Sequence, residues 1–349
     1  MAFGFYSPVT VAHAQVPSTQ SNFPVLVSVT DARFKTTGGG GNVQNASGFD
    51  IRPYSDTGLT TALTYELERY NSSTGEVIMW VSIASLSSSV DTPIYLAYGD
   101  ATLSSDGSSA STWDSNFKAV WHLKDGTTLS GTDTTTGNNL TLNNTPTAVA
   151  GQIDGGMGLN GTNQDATPAN PGDFPITTAW SVSCWVNATV LVGSDRIIVK
   201  WGQFSNNGPH IIYTSGSAQW SVRFWGGTSC NGGTPATGTW THLYGTFDAS
   251  NLRLYVGGSL AAGPTAATPA SGTAAGVVGS NSLGGSFWSG SLDEIRISDV
   301  ARSADWITTE FNNQSNPGSF APLGTEVPVG GGGAVVVPRF HYADSPMGF

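Results

Sequence analysis

The chain has 349 residues, 45 of them glycine, with only 11% charged residues and a formal net charge of −11. Ordinary globular domains carry about 25% charged residues, so hydroxyls and amides rather than ions solvate this surface. The acidic balance excludes nucleic-acid binding by phosphate neutralisation, and no run reaches the ~20 apolar residues of a membrane-spanning helix.

The length suggests two domains of roughly 150 residues. Helix formers are scarce and turn residues frequent, which points to an all-β protein. The first residues, MAFGFYSP, have no basic region and no long apolar core, and do not read as a secretory signal.

In chain order, alternating or apolar runs at 23–30, 49–54, 63–70, 77–83 and 93–99 predict the strands of a first β-sandwich spanning 1–112. The Ser/Ala/Gly-rich stretch 100–112 reads as its linker. A second unit, 113–327, holds about a dozen short strand candidates by the same criteria, among them 118–123, 180–186, 196–201, 210–213, 219–225, 239–247, 252–256 and 289–297. In 252–256, Leu252, Leu254 and Val256 alternate with Arg253 and Tyr255. The helix signal lies at 303–311, with Ser303 as N-cap and Asp305 in the first turn. Residues 328–349 form a glycine-hinged, β-prone tail. It reads either as a frayed or edge segment or as a strand that docks on a neighbouring subunit.

Four segments carry a family resemblance: AVWHL at 119–123 with the loop 133–140, GQIDGGMGLNG at 151–161, WSVSCWV at 180–186, and TWTHLYGTFD at 239–248 followed by LYVGG at 254–258 and GSLDEIRI at 290–297. In this order they resemble a laminin-G-like, concanavalin A-like domain of the bacterial and viral type. Residues 1–112 resemble the small β domain that often precedes it. The resemblance implies two tandem β-sandwiches, the second a jelly roll, and a lectin-like role. It also implies one structural Ca²⁺ held by hard oxygen ligands, for which Asp293 is the best candidate, with Asp133 and Asp165 as contributors. The competing reading is that Asp293 or Glu294 hydrogen-bonds loop backbone. The chain departs from the family pattern at Gly257, where an acidic residue is usual, and at 162–167, where an aromatic is missing.

Catalysis by a concanavalin-like hydrolase needs two carboxylates about 5–5.5 Å apart. Asp293 and Glu294 are adjacent and so are expected on opposite strand faces. Glu66 and Glu68 share a face, but in the first unit, where they read as a solvated surface. No Gly-x-Ser-x-Gly element occurs. The expectation is a non-enzyme. For sugar binding, aromatic platforms beside polar groups single out Trp201, Asn207, His210, Arg223, Trp225 and Trp288. In 219–225, Trp220, Val222 and Phe224 read as core. Trp80, Trp121, Trp185 and Trp240 read as core too. Cys184 and Cys230 are bridged or free; two cysteines do not decide it.

The leading expectation is a bacteriophage virion-surface or tail-associated protein, located at the virion surface or outside the cell, that displays a glycan-binding module. Its partners are then cell-surface polysaccharide and, through the tail, other assembly subunits. The alternatives are a secreted or cell-surface bacterial carbohydrate-binding module and a glycoside hydrolase of the same fold.

Overall fold

The computed structural model describes residues 2–124, 127–191, 193–202, 208–214, 216–224, 226–269, 276–281 and 285–330. Asn207, Trp225 and the β-prone tail segment 334–342 lie outside them. The described chain is almost entirely antiparallel β, with helices Ala304–Ser315 and Pro317–Phe320.

The first unit packs a four-stranded sheet against a three-stranded one. In the smaller sheet, Gln20–Thr30 pairs along its length with Glu76–Leu86, which also pairs with Tyr65–Asn71. In the larger, Phe5–Val11 pairs with Thr92–Tyr98, and Arg52–Tyr54 lies on its far side. Alternate residues Val9, Val11, Ile94 and Leu96 meet Val25, Val27, Val77, Met79 and Val81 in one core. The segment expected as a linker is pinned down: Ser109 donates its backbone N–H to the Tyr65 carbonyl, and Leu67 donates to the Ser108 hydroxyl.

The second unit stacks two large antiparallel sheets. The eight-stranded sheet runs in the order Ser259–Ala266, Asn251–Val256, Trp240–Phe247, Trp180–Ala188, Ser289–Ser298, Gly155–Asn160, Thr147–Ala150, and Phe117–Trp121 adds to Ser289–Ser298. The seven-stranded sheet runs Ser229–Gly232, Gln219–Phe224, Pro209–Thr214, Arg196–Trp201, Gly276–Val278, Asp165–Pro168, Leu140–Asn143. Trp180, Val182, Leu252, Leu254 and Ile297 of the first sheet interleave with Trp201, Ile211, Trp220, Val222 and Phe224 of the second. Cys184 and Cys230 are free, buried thiols.

The eight-stranded sheet is covered on its outer face as well. Tyr244 and Tyr255 pack there on Ile307 of the helix Ala304–Ser315. That helix starts as its sequence predicts: the Ser303 hydroxyl accepts from the Trp306 N–H at 3.1 Å. Its other side closes the open edge of Gln20–Thr30, where Asn313 accepts from Leu26 N–H at 2.7 Å and donates to Leu26 C=O at 2.9 Å. A side-chain amide thus supplies both partners that an edge strand otherwise lacks.

The chain then returns to the first unit. Thr10 N–H donates to Pro322 C=O, Gly324 N–H donates to Pro8 C=O, and Val327–Pro328 pairs with Tyr6 and Phe5. Trp113, Phe117, Val120, Ile153, Trp306 and Phe320 all sit in the same apolar cluster as Phe23, Val25 and Trp80. The two units share a core.

Candidate functional site

On the seven-stranded sheet, the pairing register lines up side chains that point away from the sandwich core. Lys200 stands opposite His210 and Val277, His210 opposite Arg223, and Arg223 opposite Ser229. Their chain neighbours Trp201, Ile211, Val222 and Phe224 point inward, as period-two alternation requires. The polar members are joined. Arg223 Nε donates to His210 Nε2 at 2.9 Å, and Arg223 Nη2 donates to Asp195 Oδ2 at 3.0 Å. His210 Nδ1 faces the Gly208 carbonyl at 2.9 Å. This arrangement fixes the tautomer, with the proton on Nδ1 and Nε2 accepting from the guanidinium. Burial, reinforced by the Arg223 and Lys200 charges, pushes the His210 pKa down to about 3, so the ring is neutral. Lys200 is buried and donates to the Gly202 carbonyl; burial lowers its pKa to about 8. Arg223 and Asp195 remain partly open to solvent, at 20% and 32% of their side-chain surface. They set donors and acceptors side by side, as a pair of sugar hydroxyls requires.

The structure therefore brings His210 and Arg223 together, and it corrects two other expectations. Trp201 is fully buried, edge-on to Trp180 at 5.1 Å between ring centroids, with its indole N–H on Pro175 C=O. Trp288 is also fully buried, 6.1 Å from Trp220. Both fill the sandwich interior, and neither presents a face to a sugar. Trp240, expected in the core, is half-buried at the start of its strand. A cleft of about 260 Å³ on the eight-stranded sheet is lined by Thr147, Leu159, Asn160, Gln164, Thr189 and Ser291, without an aromatic platform.

The three carboxylates expected to share a Ca²⁺ do not share partners. Both Asp133 oxygens are taken within its own loop and by the adjacent strand: Oδ1 accepts from Val120 and Thr135, Oδ2 from Thr136 and Asn138. Asp165 accepts from Asn143 and Ser280. Asp293 Oδ2 accepts from the backbone N–H groups of Gln152 and Ile153, so it holds the 151–154 turn. These contacts make Asp133 and Asp293 organisers of loop backbone, and the three residues do not fit a common calcium centre.

A cluster of buried charged side chains lies at the junction of the two units. The closing strand Ser289–Ser298 carries a bulge. Ser183 pairs with Arg296 and Trp185 with Asp293, so Glu294 and Ile295 together face Cys184. Glu294 takes the left-handed backbone at φ 50°. The extra residue breaks the alternation. Leu292, Ile295 and Ile297 enter the sandwich core, while Asp293, Glu294 and Arg296 all turn to the junction side. The expectation that Asp293 and Glu294 point to opposite faces fails for this reason.

Glu66 and Glu68 are likewise buried, at 7% and 5% exposure, not solvated. The face they occupy is the one the second unit covers. His122 lies between them and the closing strand: Nδ1 is 2.7 Å from Glu294 Oε1 and 3.5 Å from Glu68 Oε2, and Nε2 is 3.4 Å from Glu66 Oε2. Trp113 and Trp80 donate their indole N–H groups to Glu66 and Glu68 at 2.8 and 2.6 Å. Arg296 donates to Glu294 at 2.6 Å and to Glu310 at 3.3 Å. Burial alone would deprotonate His122, but the charges of Glu294, Glu68 and Glu66 hold its pKa well above the usual value. Burial, with Glu294 nearby, pushes Glu68 up to about 8 and Asp293 well above the carboxylate range. Glu310, buried too, is pulled down to about 2 by Arg296 and His242.

Two family models match the chain. Residues 160–308 match the concanavalin A-like lectin/glucanases superfamily, and residues 47–129 match a domain of unknown function (DUF2341). No curated protein matches it. Among solved structures, domain 4 of AbnA, an extracellular arabinanase from Geobacillus stearothermophilus in complex with arabinotriose, is similar at 18% identity and a TM-score of 0.48, over 56% of this chain and 98% of that one. Trypanosoma rangeli sialidase is similar at 14% identity and TM-score 0.45, over 58% of this chain and 34% of the sialidase. The binding domain of Paraclostridial Mosquitocidal Protein 1 is similar at 13% and 0.44, over 57% of this chain and 52% of that domain. The segment 160–308 is thus a concanavalin A-like lectin/glucanase domain, and the matched domain of unknown function precedes it at 47–129.

Proposed function

We propose that the protein is a non-catalytic, surface-displayed binding protein that grips glycans on the outer face of its seven-stranded sheet. The observation that carries this reading is the partly exposed Arg223–Asp195 pair, beside the buried His210 and Lys200, on a domain of the lectin/glucanase superfamily. The neutral His210 buttresses the guanidinium from beneath, so Arg223 meets a ligand in a fixed orientation at little cost in side-chain entropy. The carboxylate clusters support binding over hydrolysis. Glu66, Glu68, Asp293 and Glu294 are all buried at the junction, where a polysaccharide cannot reach them. The display platform is a virion or comparable surface assembly, to which the C-terminal residues attach the protein.

A glycan array read together with a reducing-end release assay tests the proposal. Binding to a defined set of glycans without release is the expected result. Release that disappears when a carboxylate is mutated would establish a hydrolase instead.

A further inference from the structure

We propose that Glu68, His122 and Glu294 bind one divalent transition-metal ion, of the zinc or manganese class, at the junction of the two units. Each offers one donor atom, and the three atoms lie within 4.8 Å of one another. A tetrahedral ion with ligands at about 2.0–2.2 Å separates its donors by about 3.3–3.6 Å. The 3.5 Å pair of His122 Nδ1 and Glu68 already has that spacing, and the 2.7 Å pair with Glu294 has to widen by about half an ångström to reach it.

A second observation points to an absent partner. Glu68 Oε1 is buried and has no hydrogen-bond partner, on a residue 5% exposed, whereas Oε2, the atom 3.5 Å from His122 Nδ1, accepts the Trp80 indole N–H. Protonation does not remedy this for Glu68, because an Oε1–H group would lack an acceptor just as the bare oxygen lacks a donor. An ion satisfies such an oxygen directly.

A third observation concerns the histidine. With Nδ1 turned to the ion, Nε2 lies 3.4 Å from the Glu66 carboxylate. A carboxylate behind the second ring nitrogen is the arrangement that orients a metal-bound imidazole and raises its basicity. Trp80, stacked on the ring at 5.8 Å and 25°, fixes its plane. The donor set is one imidazole with carboxylates. That suits zinc or manganese better than calcium, which takes six to eight oxygens. A cleft of about 480 Å³ is lined by Asn22, Ser82, Trp113 and Asp114, and the Trp113 indole donates to Glu66 beside the site.

The site joins the units, since Glu68 comes from the first and His122 and Glu294 from the second. The full chain is unfolded in urea with a chelator, refolded separately with Zn²⁺, Mn²⁺, Ca²⁺ or no metal, desalted, and assayed for bound metal and melting temperature. About one equivalent of Zn²⁺ or Mn²⁺ per chain, with a raised melting temperature, is expected. His122→Gln and Glu68→Gln lose the metal, and Asp165→Asn keeps it. Should the two variants fail to fold, the absorption spectrum of Co²⁺-loaded wild type decides, because a nitrogen-and-oxygen tetrahedral site gives intense visible bands. Retention of calcium alone, no retained metal, or full retention in both variants would overturn the proposal.

Discussion

Arg296 lays its guanidinium on the indole of Trp80, 4.4 Å from the ring centroid, and so joins the closing strand of the lectin-like unit to the central strand of the first. Trp113 stacks on the same guanidinium at 4.8 Å. The arginine also carries the charge that balances Glu294 and Glu310. Apolar packing and charge compensation across the junction therefore meet in one side chain.

Arg296→Ala removes the guanidinium that pairs with both Glu294 and Glu310 in a buried site, which costs about 3–5 kcal/mol. Arg296→Lys recovers only part of this, because an ammonium does not reproduce the stacked, forked geometry. Urea unfolding followed by both tryptophan fluorescence and circular dichroism checks it. One shared transition is expected in the wild type, displaced to lower urea in the variants.

Stability also depends on pH through Glu310. Its folded pKa, about 2, lies below the ordinary 4.5, so its contribution is fully present above about pH 4.5 and is lost as pH falls toward 2. The groups facing it are Arg296, His242, Tyr244 and the Ser183, Trp306 and Gln314 side chains. The contribution is on the order of 3 kcal/mol. Denaturation midpoints across pH in wild type and Glu310→Gln test this, and the variant should show a flatter acid limb.

Asp133 organises a loop. Asp133→Ala strands several backbone N–H groups and should destabilise the protein by about 3 kcal/mol or more. The loss should be the same with and without a chelator, as calorimetry can establish. A chelator effect abolished by this substitution would instead mark Asp133 as a metal ligand.

Truncation after residue 330 keeps the pairing of Val327–Pro328 with Phe5–Val11. The melting curve of the truncated chain is expected to match that of the full chain. If the tail docks, incorporation into particles, measured by sedimentation and gel densitometry, falls to background.

Much of this fold is legible in sequence. Leu252 and Leu254 alternate with Arg253, and Ser303 announces the helix, because one side of each element faces a core and the other faces something more polar. The junction is illegible for the same reason. Period-two reading assigns the Glu66/Glu68 face to solvent, since nothing local records that a second unit lies over it. The bulge at Glu294 leaves no mark, because a charged residue there replaces the glycine that usually accompanies a left-handed backbone. Trp201 misleads because 197–201 is buried on both faces, so polarity does not alternate along it. Arg223 and His210 could be paired only through the register of Pro209–Thr214 with Gln219–Phe224, which sequence spacing alone does not supply.

The most direct test of glycan recognition by the seven-stranded sheet is calorimetric titration of the best array ligand into wild-type protein and Arg223→Ala. The substitution is expected to weaken binding about 10- to 100-fold, equivalent to about 1.4–2.8 kcal/mol, and to lower the melting temperature modestly, because the buried His210 Nε2 loses its donor. Equal affinity in the two proteins would contradict the proposal and move the binding face elsewhere on the molecule.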